Sequence, residues 1–154
     1  MLNDQNISNI LPRMGFDHYE YVSPNNHSSG LEILWNNGNI HAPALCKDTR
    51  AIHILVHDPE IAKNSITSGI YTPAQANQKE QFWVYLMDLH HIFDLPWCLI
   101  GDSNEPANPL EKRGDQALSA TQYQRLNSFL LNTNAESVHV KGQQFTWKKK
   151  SIRT

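Results

Sequence analysis

Apolar and polar positions change period several times along this chain, and the changes mark out its elements. Ile7, Ile10, Leu11 and Met14 recur at helical spacing and predict a short first helix. Asn3 or Asp4 would cap it, Pro12 would shorten or kink it, and Gly15 would stop it. Residues 19–22 and 31–35 read as strands, separated by a loop of turn residues at 23–30, and Asn36-Asn37-Gly38-Asn39 is a hairpin-turn signal. Residues 51–57 alternate, with Ile52, Ile54 and Val56 on one face and His53, Leu55 and His57 on the other. Residues 65–72 form a further strand running into Pro73, and the polar stretch 58–64 joins the two as an antiparallel, half-buried pair.

From Asn77 the period becomes helical. Asn77 and Glu80 form a cap-plus-N3 pair, and Phe82, Tyr85, Leu86, Leu89 and Phe93 mark one face. Residues 95–100 are a nearly continuous apolar run, as expected of a strand covered on both faces. Ser119 and Gln122 form a second capping box, ahead of a helix lined by Tyr123, Leu126, Phe129 and Leu130. Residues 138–140 and 145–147 close the chain as a strand pair around Gly142. Strands cluster in the first half and alternate with helices in the second, which predicts an α/β chain with a layered sheet core flanked by helices.

Composition narrows the class. The chain has 154 residues, enough for one domain, and with 40% hydrophobic and 18% charged residues it reads as globular. The net charge of −2 gives no general basic face for nucleic acid, and the one dense basic run is Lys148-Lys149-Lys150. Cys46 and Cys98 are far apart and form no CxxC pair, so a reduced intracellular protein is expected, in nucleus or cytoplasm. The first residues show no secretory signal, and no apolar stretch is long enough to span a bilayer.

The chemistry concentrates at Leu99-Ile100-Gly101-Asp102-Ser103-Asn104-Glu105-Pro106. A strand ends at a glycine, after which a carboxylate and a carboxamide stand two positions apart. In extended chain that spacing puts Asp102 and Asn104 on one face, beyond the carboxyl end of the strand. A carboxylate accepts a proton from water, and a carboxamide donates to an oxyanion. The pair therefore suits attack on a phosphodiester near a divalent cation. Gly-Asp-x-Asn is equally good turn chemistry, and alone the turn is the simpler reading. Tyr71, in Gly69-Ile70-Tyr71-Thr72-Pro73, ends another predicted strand; its phenol can meet a phosphate oxygen or simply rest at the core boundary.

Other groups weigh less. His53 and His57 share a strand face about 13 Å apart, too far for one ion. His90 and His91 are helix neighbours and point about 100° apart. Asp88 and Asp94 read as solvated residues, Glu105 as a rim residue of the crevice, and Lys148 to Lys150 as a solvated strand end or a contact to a DNA backbone.

Four segments in order then carry a resemblance: Ser29-Gly30-Leu31-Glu32-Ile33-Leu34-Trp35, Gly69 to Pro73, Leu95 to Pro106 followed by Glu111-Lys112-Arg113-Gly114, and Phe145-Thr146-Trp147. Together they resemble the endonuclease/exonuclease/phosphatase superfamily, closest to the endonuclease domains of plant non-LTR retrotransposons and their reverse-transcriptase polyproteins. The resemblance implies a four-layered sandwich, two mainly antiparallel or mixed sheets face to face with helices outside, here incomplete. It implies phosphodiester hydrolysis with Mg2+ or Mn2+ and DNA as partner. Asp102 would orient or deprotonate the nucleophilic water, Asn104 would hold a phosphate oxygen, both would approach the metal, and Tyr71 would bind the phosphate.

The pattern also breaks. In relatives the main metal-binding glutamate stands just before the segment matching residues 1–16, and a serine-aspartate-histidine group follows the segment matching the last residues. Residues 1–154 are therefore expected to form a partial domain, impaired in hydrolysis, whose open sheet edge invites self-association. Ser103 stands where relatives often carry an aromatic residue, and Asp115 where they carry a second glycine. Three readings stay open: a metal-dependent phosphodiesterase or DNA endonuclease, an inert retroelement fragment, and a nucleic-acid-binding module without catalysis.

Overall fold

A computed structural model describes residues 10, 13–23, 30–36, 40–112, 119–138 and 141–142. Residues 37–39 of the turn expected at 36–39, the strand at 145–147, most of that at 138–140, the run Lys148 to Lys150 and Asp115 lie outside the described residues. Of the expected first helix, Ile10, Arg13 and Met14 are described and helical, and Gly15 follows with φ +76°. Only glycine adopts that backbone without strain, so the predicted stop is where the sequence put it.

Six strands and two helices follow: β1 (His18–Val22), β2 (Leu31–Trp35), β3 (Ala44–Lys47), β4 (Ala51–Asp58), β5 (Lys63–Tyr71), α1 (Ala76–Ile92), β6 (Trp97–Asp102) and α2 (Gln124–Thr133). β1 and β2 form a two-stranded antiparallel sheet. The larger sheet runs β3-β4-β5-β6, antiparallel except for the parallel pair β5 and β6. α1 makes the crossover that a parallel pair requires. The chain is thus mixed α/β with two sheets and flanking helices.

The larger sheet is covered on both faces. Ile52 and Ile54 pack with Ala42 against Val22, Leu31, Ile33 and Trp35 of the small sheet. Ala51 and Ile70 pack with Phe82, Trp83 and Leu86 of α1 and Phe129 of α2. A strand turns alternate residues to opposite faces, so β4 feeds both layers, and its first four residues are all buried. The half-buried pair expected from the alternation of β4 is therefore wrong at this end, because the helices cover the face that carries His53. β6 departs the other way. Expected to be covered on both faces, it alternates, with Cys98 and Ile100 exposed and Trp97 and Leu99 half-buried. It is the last strand of its sheet among the described residues, and the small sheet extends over β4 and β5 instead.

The helix caps differ from expectation. α1 starts at Ala76 with Gln75 as N-cap and no side-chain cap; Asn77 lies in the first turn, its Oδ1 accepting from the Gln78 amide at 2.9 Å. Ser119 and Gln122 do form a capping box, but it closes the 3-10 turn Ala120–Gln122, one residue short of α2. β3 was not expected: four residues after Pro43 carry too little pattern to announce a strand, and the edge of β4 recruits them.

His53 is fully buried and bonded on both ring nitrogens. Nδ1 lies 2.6 Å from Ser68 Oγ and Nε2 3.1 Å from the Tyr85 hydroxyl, while Trp97 Nε1 donates to Ser68 Oγ at 2.7 Å. Burial pushes the His53 pKa down, opposed by the charge of Asp48, and burial with Asp48 pushes the Tyr85 phenol up. A depressed histidine contributes stability that is present above its ordinary value near 6.5 and lost as pH falls through the folded value. The unfolding free energy, and with it the melting temperature, is expected to fall from about pH 6.5 downward, the free energy by at most about 1.4 kcal/mol per pH unit from this one group. His53→Gln should melt lower at neutral pH yet lose less on acidification, as thermal melts by circular dichroism across pH 5 to 8 would show.

Candidate active site

β5 and β6 end side by side. Their parallel register pairs Ile70 with Gly101 and Tyr71 with Asp102. The pairing continues one step further, where the Thr72 amide donates to the Asp102 carbonyl at 2.9 Å. Paired residues of neighbouring strands project to one face. Gly69, two residues before Tyr71, shows which face: a Cβ there would come within 2.9 Å of the Ile33 side chain. Tyr71 and Asp102 therefore stand on the side of the larger sheet that faces β1 and β2, at its carboxyl-terminal rim.

Gly101 is what lets the two strands end so closely. Its φ is +148°, and a Cβ would sit 1.9 Å from the Ile70 carbonyl oxygen, an impossible contact with backbone. Past Asp102 the chain reverses through Asn104, a non-glycine residue with φ +46°. Asp102 Oδ1 accepts from the Asn104 amide at 2.8 Å, so the turn that Gly-Asp-x-Asn favours does form. The Asn104 side chain reaches back across the strand ends, Nδ2 donating to the Thr72 carbonyl at 2.7 Å. Tyr71 and Asp102 are thereby neighbours at one mouth, and Asn104 lies at its edge, in the turn just beyond. Tyr71 and Asp102 are exposed and Asn104 is half-buried. Asn104 keeps a second N–H, and the Asp102 carboxylate keeps acceptor sites beyond the one in the turn.

Glu105 is not the rim residue the sequence suggested. Its side chain is fully buried. Oε1 accepts from the amides of Arg125 at 3.1 Å and Leu126 at 3.3 Å, and so fills the start of α2, which the capping box leaves open. Oε2 has no hydrogen bond and lies 3.6 Å from Arg125 Nη1 and 3.9 Å from Lys79 Nζ. Lys79 in turn donates to the Asn104 carbonyl at 2.6 Å, and Ser103 Oγ donates to that of Glu105 at 2.6 Å. These contacts hold the turn that carries the site. A buried carboxylate three residues after Asp102 leaves no trace in the hydrophobic pattern, and only its distant cations reveal its place.

Among the described residues no group of three or more histidine, cysteine, aspartate or glutamate side chains is gathered to hold a metal ion. Among the described residues Asp102 brings a carboxylate to the mouth without two further ligating side chains gathered beside it, so water would have to fill nearly all of the six positions magnesium takes. The described residues therefore do not fit the divalent cation that the resemblance implies. His53 is committed to Ser68 and Tyr85, and His57 Nδ1 lies 2.8 Å from Asn64 Oδ1, so neither joins the mouth.

Among solved structures, the human Nocturnin catalytic domain with bound sulfate anion is similar, with a TM-score of 0.48 at 13% identity over 68% of this chain and 48% of that one. This chain spans about half the length of that domain. No protein-family model matches the sequence, and no curated protein matches it. Among the described residues no helix is long and apolar enough to cross a membrane.

Proposed function

We propose that residues 1–154 form a partial domain of the endonuclease/exonuclease/phosphatase type, akin to non-LTR retrotransposon endonucleases, which takes a DNA phosphodiester at the Tyr71, Asp102 and Asn104 mouth and hydrolyses it poorly. The reading places the protein inside the cell, with the nucleic acid it acts on. The observation that carries it is the register of β5 with β6, which puts Tyr71 directly beside Asp102 at the ends of parallel strands. The four sequence motifs in order support it.

In this reading the Tyr71 phenol and the remaining Asn104 N–H donate to the non-bridging phosphate oxygens. The free acceptor sites of Asp102 orient a water and take its proton as it attacks phosphorus; the P–O bond to one half of the strand breaks, and its departing oxygen takes a proton from solvent. These groups supply positioning and one general base, worth roughly 10²–10⁴-fold. Neutralising the charge that builds on the phosphate needs a cation, and the described residues do not gather one. Hydrolysis is therefore expected to be slow, and binding is what separates this reading from an inert fragment.

The test is nicking of supercoiled plasmid with Mg2+ or with EDTA, alongside binding of a labelled oligonucleotide. The expected result is bound DNA with only trace nicking, which EDTA leaves within about twofold because the described residues gather no metal-ligating group. Asp102→Ala should reduce the nicking a further 10²-fold or more and leave binding within about twofold. Absence of any DNA binding overturns the reading, as does nicking that Asp102→Ala leaves unchanged.

A further inference from the structure

Beside the mouth lies a cleft of about 440 Å³, and Asn104 belongs to both. Its other polar walls are Lys79, Lys112, Thr121, Gln122 and Arg125. Three of those side chains are cationic, and no acidic side chain of the described residues lines the cleft. In a chain of net charge −2 this is a local concentration of positive charge. One counter-charge stands behind the wall: Glu105, buried, 3.6 Å from Arg125 Nη1 and 3.9 Å from Lys79 Nζ. Glu105 pairs with Lys79 and Arg125, while Glu80 and Glu111 lie near the cleft without lining it, so the side chains that face it are cationic or neutral.

The donors are partly engaged. Lys79 Nζ donates to the Asn104 carbonyl at 2.6 Å, and Arg125 Nη1 to the Thr121 carbonyl at 2.9 Å. A guanidinium carries five N–H donors and an ammonium three, so both retain capacity for an anion. The amides of Arg125 and Leu126 at the start of α2 are already taken by Glu105, so the site is one of side chains. Lys112 is exposed on the far wall.

We propose that this cleft holds a second phosphate of the polynucleotide strand whose phosphodiester occupies the mouth. The inference rests on the reading above and extends it: the ligand is a strand and not a lone nucleotide. Asn104 is the shared wall, so a polyanion with regularly spaced charges fills both places at once, whereas a mononucleotide fills one and leaves the cations of the other unneutralised. Phosphate contacts of this kind position a strand without reading its bases.

The experiment is fluorescence anisotropy with a labelled 12-nucleotide single-stranded DNA in EDTA. Lys112→Glu is expected to weaken binding tenfold or more, and Lys112→Gln to weaken it less. The salt slope should become shallower by about 0.7 for the lost contact. Lys63→Glu, which changes charge equally at the opposite end of β5, should stay within twofold, and all three variants should melt as the parent does. Thymidine monophosphate should compete only at concentrations far above that of the 12-mer.

Equal effects of Lys112→Glu and Lys63→Glu, or none from either, overturn the cleft. Competition by the mononucleotide at the same concentration as the 12-mer overturns the strand. Nicking that depends on Asp102 together with binding indifferent to Lys112 removes this inference and leaves the hydrolytic reading. Binding that depends on Lys112 without any Asp102-dependent nicking does the reverse.

Discussion

Gly101→Ala is expected to remove most of the stability of the larger sheet and with it the mouth. The added methyl would lie 1.9 Å from the Ile70 carbonyl oxygen, and real Cβ contacts do not come under 3.0 Å. The obstacle is backbone in a register-paired strand, so no side chain can swing aside to relieve it. The strands must separate, and the parallel hydrogen bonds around Ile70 and Tyr71 go with the separation. The φ of +148° adds strain that no L-residue escapes. A loss above about 4 kcal/mol is expected, against a usual total of about 5–15 kcal/mol. The melting temperature should fall by about 8–16 °C, or the cooperative transition should vanish. Gly15→Ala is the control. It too has positive φ, +76°, but nothing lies within 4 Å of its Cβ, and it should cost only about 1 kcal/mol. Similar melts for the two variants would show that close strand approach is not what Gly101 provides.

Glu105→Ala is expected to cost about 3–5 kcal/mol, because it strips a buried partner from two cations and exposes the first amides of α2 to an apolar setting. Glu105→Gln keeps an acceptor for those amides and loses the charge, so it should cost about 1–3 kcal/mol. The two differ in what they leave behind. With alanine, Lys79 and Arg125 stand near each other without a counter-charge, and Arg125→Ala in the same chain should recover part of the loss. A double-mutant cycle by urea unfolding reads that recovery as a coupling energy. Strict additivity of the two changes would refute the pairing. Lys79 keeps its separate hydrogen bond to the Asn104 carbonyl in either variant.

Much of this architecture can be read along the chain. Alternation and apolar runs place β2, β4, β5 and β6, and the change of period after Pro73 places α1, because these elements bury patterned faces. The pairing of Tyr71 with Asp102 also follows the sequence order of strand, helix and strand. What escapes is whatever depends on a distant partner. His53 looks like a half-exposed polar position until Ser68 from β5 and Tyr85 from α1 close over it. Trp83 sits outside the predicted stripe of α1, yet α2 brings Phe129 against it at 5.1 Å between ring centroids, and both are buried. Glu105 reads as a solvent-facing acid next to a proline, and its role appears only when the start of α2 and two cations converge on it. The strand ends at Tyr71 and Asp102 were legible because a proline after one and a glycine and a turn around the other announce them. The cationic cleft was not, because Lys79, Lys112 and Arg125 come from three separate segments.

β5 and β6 run the same way, so no hairpin can join them, and the seventeen residues of α1 lie between Tyr71 and Asp102. Neighbours in space are thus strangers in sequence, and nothing local brings them together. As the chain folds, β4 and β5 can zip through their short turn early, but the mouth exists only after α1 has docked and delivered β6. Its appearance marks a finished half-molecule, and a nascent chain released before Asp102 would carry a well-made hairpin and no site.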